Sequence, residues 1–86
     1  MEKITVQISI PKAIGDSKTV SVPRNNTLIE ALLTMNQPIV MDKIMKSSTE
    51  FNQFVLIYHN KARVKNTDFI LTNDCNIDII IPMAGG

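Results

Sequence analysis

Apolar and polar residues alternate from the start of the chain. Residues 4 to 10 read Ile-Thr-Val-Gln-Ile-Ser-Ile, with Ile4, Val6, Ile8 and Ile10 at a spacing of two. That period places all four on one face of a strand. Pro11 ends regular pairing, and Gly15-Asp16 supplies the pivot of a turn. Thr19 to Val22 predicts a second strand with Val20 and Val22 inward, so the two form an antiparallel hairpin. The period then changes. Thr27 followed three places later by Glu30 is a capping box, and Leu28, Ile29, Leu32 and Leu33 make an apolar stripe at helical spacing, with Met35 near its edge. Pro38 is expected to stop this helix. Residues 39 to 50 are compatible with a short helix lined by Ile39, Val40, Ile44 and Met45, or with an irregular loop.

Three more strands follow. "FVLIY", Phe54 to Tyr58, is short, aromatic and β-branched, which favours a strand over a helix. Asn60 provides a tight turn into a short strand near Ala62 to Val64, and Ile77 to Ile81 is the last strand after the turn in "LTNDCN". A single amphipathic helix must bury its stripe on one face of a sheet. The expected fold is therefore α+β, with a mixed sheet of four to five strands packed on one main helix. This element order matches the β-grasp, or ubiquitin-like, arrangement, and other two-layer folds share it.

The 86 residues suffice for one domain, taken here as residues 1–86 with 82–86 as an exposed tail. Net charge is +1, from nine basic and eight acidic residues. Such a balance offers no footprint for nucleic acid or an anionic membrane. No apolar run approaches the roughly 20 residues needed to cross a bilayer, and the N-terminus lacks the apolar stretch of a signal peptide. One cysteine, Cys75, permits no internal disulfide and suggests a cytoplasmic protein. One histidine, His59, cannot join it in a zinc site of the usual kind, and three glycines make no phosphate loop. The inventory argues against a self-sufficient enzyme, and no bound cofactor is expected.

Smaller features have mostly structural readings. Cys75 has no neighbouring Lys, Arg or His in sequence to lower its pKa, so it reads as a small residue at a strand start. His59 reads as a hairpin residue. Lys61, Arg63 and Lys65 form an alternating basic stripe, either a solvated face or a dock for an acidic partner. Phe54–Tyr58 and Ile79–Ile81 are apolar on both faces, so the second sheet face needs cover. Either residues 39–45 supply it, or a partner docks on a patch around Phe54, Leu56, Ile80, Pro82, Met83 and Ala84.

The chain resembles the MoaD/ThiS family of β-grasp sulfur carriers. The likeness covers nearly the full length and is most specific from Phe54 onward: "FVLIYHNKARV", "ILTND", a final strand, then "IIPMAGG". The ending is most similar to that of the molybdopterin synthase small subunit. Two places depart from the family: its Asp-Gly-Asp-Glu turn is Asn73-Asp74-Cys75-Asn76 here, and its Pro-Pro pair is Ile81-Pro82. The resemblance implies that Gly86 is adenylated and converted to a thiocarboxylate, with Gly85 threading the tail into the partner. It also implies two partners: a ubiquitin-activating-type adenylating enzyme, which uses ATP and magnesium, and the large subunit of molybdopterin synthase or an equivalent sulfur acceptor. A thiamine-pathway carrier, a ubiquitin-like modifier attached to lysines, and an interaction domain with an incidental Gly-Gly are the alternatives.

Overall fold

A computed structural model describes residues 2–82. Met83, Ala84, Gly85 and Gly86 lie outside the described residues. The element order is β1 (Lys3–Ser9), β2 (Lys18–Pro23), α1 (Leu28–Thr34), α2 (Pro38–Ile44), β3 (Leu56–His59), β4 (Ala62–Val64) and β5 (Cys75–Ile80). The five strands form one sheet in the order β2-β1-β5-β3-β4. Only β1 and β5 are parallel, so the sheet is mixed.

The period-two pattern is realised as expected. Ile4, Val6 and Ile8 of β1 and Val20 and Val22 of β2 are buried, while Lys3, Thr5, Gln7 and Ser9 face out. β1 and β2 pair in the register Val6↔Val20. From β5, Cys75, Ile77 and Ile79 face the same core, which Ile57, Val64 and Leu71 complete. Burying an aliphatic side chain of this size contributes roughly 1.5–3 kcal/mol. This row is thus the main source of cohesion.

The capping box forms at the start of α1. Thr27 Oγ1 accepts from Glu30 N–H at 3.3 Å, and Glu30 Oε1 accepts from Thr27 N–H at 3.2 Å. The amides of Leu28 and Ile29 donate to the carbonyls of Phe69 and Thr67, so the first turn has no orphan donors there. The buried stripe, however, is Leu28, Ala31, Leu32 and Met35. Leu33 is 58% exposed and Ile29 half-buried. The i, i+3, i+4, i+7 series runs through Ala31, whose small side chain lets the helix approach the sheet; Leu33 lies off that line.

Pro38 does not simply stop a helix. α1 ends at Thr34, and Asn36 adopts φ 55, the left-handed geometry asparagine tolerates after a helix C-terminus. Pro38 then occupies the first turn of α2, where its missing N–H costs nothing. Val40 and Ile44, four apart, bury this second helix in the common core, and Ile39 is left 70% exposed. Residues 39–45 therefore close the helix-side core rather than the outer sheet face. A Cβ on Gly15 would overlap Val40 and come within 2.8 Å of Gln37 Oε1, so α2 sits against a glycine for lack of space.

β3 starts later than the apolar run suggests. Asn52 Oδ1 accepts from Phe54 N–H and Asn52 O from Val55 N–H, holding Phe54 in a turn before the strand. β5 starts earlier, at Cys75, because Asp74 Oδ1 accepts from Thr5 N–H at 2.8 Å and joins the strand start to β1. Leu32→Ala should cost about 2–5 kcal/mol in urea unfolding, and Leu33→Ala less than about 1 kcal/mol. Equal losses would contradict the observed helix face.

Candidate functional site

The last strand runs through the middle of the sheet, between β1 and β3, and ends beside the exposed Pro82. On the outer face the rows can be read from the register. Leu56 of β3 lies opposite Ile80 of β5, and Tyr58 lies opposite Asp78, which also neighbours Ser9 of β1. Elsewhere this face is polar: Thr5 and Gln7 on β1, Thr19 and Ser21 on β2, and Asn76 on β5 are all exposed. The apolar surface is confined to the corner where β5 ends. Ile80 is 45% exposed there, with Leu56 and Ile81 half-buried.

An open depression of about 560 Å³ occupies this corner. Its walls include Ile10 and Pro11 just after β1, Tyr58 from β3, Asp78 and Ile80 from β5, and Ile81 just after it. No residue of α2 lines it. The outer face is thus neither fully covered nor fully polar.

The β3–β4 turn fixes one flank. Asn60 and Lys61 have φ of 47 and 73, the paired positive values of a two-residue hairpin turn. Asn60 also ties this turn to β5. Its N–H donates to Asn76 O at 2.9 Å, and its Oδ1 accepts from Asn76 N–H at 2.9 Å. Asparagine supplies both the φ and the acceptor, and glycine would supply only the first.

The candidate residues named from sequence fall into separate groups. Leu56, Ile80 and Pro82 lie at the same corner. Phe54 is 65% exposed but sits in the turn before β3, off the paired row. Met83, Ala84, Gly85 and Gly86 lie outside the described residues. Lys61, Arg63 and Lys65 do not form a strand stripe, because Lys61 is in the turn and Lys65 follows the end of β4. His59 is a hairpin residue whose ring packs on Phe69 with centroids 5.0 Å apart. Tyr58 and Asp78 were missed as site residues. The available signal was a single charge inside the apolar run Ile77 to Ile81.

Cys75 opens β5 beside Val6 and is buried. Burial, and secondarily the negative charge of Asp74, push its thiol pKa up. A raised pKa lowers the thiolate fraction, so this sulfur is a poor nucleophile at neutral pH. Among the described residues no three His, Cys, Asp or Glu side chains group to hold a metal ion, and no helix is long and apolar enough to cross a membrane.

The sheet order, the parallel central pair and the helix layer on one face define a β-grasp fold. No protein-family model matches the chain, and no curated protein matches it in sequence. Solved structures do match. SAMP1 of Haloferax volcanii superposes with a TM-score of 0.74 at 14% identity, covering 99% of this chain and 100% of SAMP1. The HVO 2177 protein of the same organism gives 0.74 at 13%, over 98% and 88% of the two chains. A chain of the Amycolatopsis orientalis BexX/CysO complex gives 0.73 at 20%, over 94% and 99%. At these identities the likeness establishes the fold.

Because the folded protein holds the Cys75 proton more tightly than the unfolded chain, the stability this confers is complete at neutral pH. It is lost as pH rises above the ordinary thiol range, about 8.5. Urea unfolding of the native protein should therefore weaken more steeply between neutral and alkaline pH than that of Cys75→Ala. Parallel pH profiles would contradict this.

Proposed function

We propose that the protein is a sulfur carrier whose Gly86 carboxylate is adenylated and converted to a thiocarboxylate, as the ending "IIPMAGG" implies. The observation that carries this reading is the position of β5. It is held between β1 and β3 and delivers the chain to Pro82 beside an exposed apolar corner. Among the structural neighbours, CysO is a sulfur carrier and SAMP1 a small ubiquitin-like archaeal modifier, and the fold is compatible with both roles.

The chemistry needs an activating partner. The α-carboxyl has an ordinary pKa of about 3.3–3.7, so at neutral pH it is a carboxylate and a poor electrophile. Transfer of AMP from ATP to one carboxylate oxygen forms a mixed anhydride and releases pyrophosphate. Hydrosulfide from the sulfur donor then attacks the carbonyl, expels AMP and loses its proton, leaving the thiocarboxylate. The partner supplies ATP, magnesium and catalytic groups, while this chain supplies the acyl group. Gly85 and Gly86 lack a Cβ, so they fit a narrow channel and leave the carbonyl unhindered. Pro82 fixes φ where the strand gives way to the tail. Leu56, Ile80 and Pro82 form the surface that docks the activating enzyme, with Met83 and Ala84 as further partner-binding residues in the sequence. In the preferred pathway the thiocarboxylate then delivers its sulfur to molybdopterin formation on a large synthase subunit.

The buried Cys75 favours this terminal chemistry, because the chain's one cysteine is poorly placed to carry sulfur as a persulfide. A second reading is favoured by SAMP1: attachment of the activated terminus to lysines of other proteins. Intact mass spectrometry after incubation with ATP, a sulfur donor and the activating enzyme separates the two. One oxygen-to-sulfur exchange on the free protein supports the carrier, and isopeptide conjugates support the modifier. Gly86→Ala should slow loading, and a residue appended after Gly86 should abolish it. Equal loading of the extended and native chains would overturn the proposal.

A further inference from the structure

The sheet has a gap where β1 and β5 part. Their parallel pairing stops at Ser9↔Asp78. Pro11 ends it. Ile10 addresses the β2 side, where its N–H donates to the Ser17 hydroxyl at 2.9 Å and its carbonyl accepts from that hydroxyl at 3.4 Å. Pro11 has no N–H, and its carbonyl accepts from the amides of Ile14 and Gly15. β5 nevertheless runs on, paired on its other side through Leu56↔Ile80.

The parity of the ladder shows which backbone groups this leaves open. Asn60 N–H donates to Asn76 O, so residues 76, 78 and 80 direct their backbone groups toward β3. Successive residues of a strand address opposite neighbours. Ile79 C=O and Ile81 N–H therefore point to the place that β1 has left. Among the described residues no backbone group beyond the strand pairings bonds to them, so they form a short open strand edge, the kind of template that accepts an extended peptide.

Asp78 stands at the head of this gap. It is half-buried between Ser9 and Tyr58, in the depression that Ile80 and Ile81 also line. The one ion pair among the described residues joins Glu2 and Arg24, at 2.9 Å, so Asp78 has no cationic partner there. Lys61 reaches the same depression from the hairpin turn but is exposed, whereas Asp78 sits within the central strand. Apolar walls, one carboxylate and a phenol ring suit an arginine. Its stem packs on Ile80, its guanidinium forks onto the carboxylate, and its flat face meets Tyr58. An acidic or purely apolar side chain would bury the carboxylate further with nothing to compensate.

We propose that Asp78 is a specificity determinant: the gap beside Ile79–Ile81 receives an extended, arginine-bearing segment of the enzyme that adenylates Gly86. The identity of that partner rests on the carrier reading; the gap and its preference for arginine do not. Paired there, the segment clamps β5 next to Pro82, four residues before the acyl group.

Two measurements test this separately. In the first, isotope-labelled protein is titrated by NMR with the blocked peptide acetyl-Val-Thr-Arg-Val-Thr-amide, and with the same peptide carrying Glu in place of Arg. The arginine peptide should shift the Ile79, Ile81 and Tyr58 signals, and Asp78→Asn should weaken its binding about five- to tenfold. The glutamate peptide should leave those signals in place. Equal binding of both peptides, shifts confined to other surfaces, no shift up to the solubility limit, or no effect of Asp78→Asn would each overturn the proposal. The spectrum itself reports whether the variant is folded. In the second, Asp78→Asn should raise the KM of the adenylating enzyme for this protein about tenfold with kcat unchanged. An unchanged KM overturns the assignment to that enzyme. Failure of the native chain to be adenylated defeats the carrier reading while leaving the peptide result to judge the gap.

Discussion

The parallel pairing of β1 with β5 is the constraint on which the rest of the structure depends. It sets Val6 beside Cys75 and Ile8 beside Ile77, all of them buried, and joins the first and last strands at the centre of the sheet. Parallel neighbours need a crossover rather than a tight turn. Here the crossover contains both helices and the β3–β4 hairpin, and β3 returns along the free flank of β5. The helices bury Leu28, Leu32, Val40 and Ile44 against one face. The other face is left open, polar over β1 and β2 and apolar only where Leu56 meets Ile80. The exposed apolar corner is thereby placed next to the last described residue.

Elements governed by local rules were legible in the sequence. Period-two alternation identified β1 and β2, the Thr27–Glu30 pair identified the start of α1, and Asn60 identified the hairpin turn. Features decided by tertiary contact were not. Pro38 carries the same local signal whether it ends one helix or begins another, and only the space beside Gly15 and the burial of Val40 and Ile44 select the second. Leu33 satisfies helical spacing as well as Ala31 does, but the sheet accepts the smaller residue. Phe54 belongs to the apolar run by composition, and a hydrogen bond from its amide to Asn52 holds it in the preceding turn. The candidate site divides in the same way. Leu56 and Ile80 followed from two-sided apolarity, whereas Asp78 gains its meaning from a gap that only the strand register reveals.

The proposed function requires a stable body that presents one reactive group to larger partners. The architecture is consistent with that demand. The central strand is paired on both sides as far as Asp78, its start is tied to β1 through Asp74 and to the hairpin through Asn60, and the lone thiol is buried with its pKa pushed up. Among the described residues no buried side-chain nitrogen or oxygen lacks a hydrogen-bond partner. In the proposed function, reactivity is assigned to the Gly86 carbonyl and recognition to the corner beside Pro82.

The central claim is that Gly86 provides the acyl group and the folded body its address. The most direct test is ATP–pyrophosphate exchange by the adenylating enzyme, comparing the native chain with a semisynthetic one whose Gly86 carboxylate is replaced by an amide. The account predicts exchange with the native chain and none with the amide, which has no carboxylate oxygen to receive AMP. Equal exchange with both would contradict it.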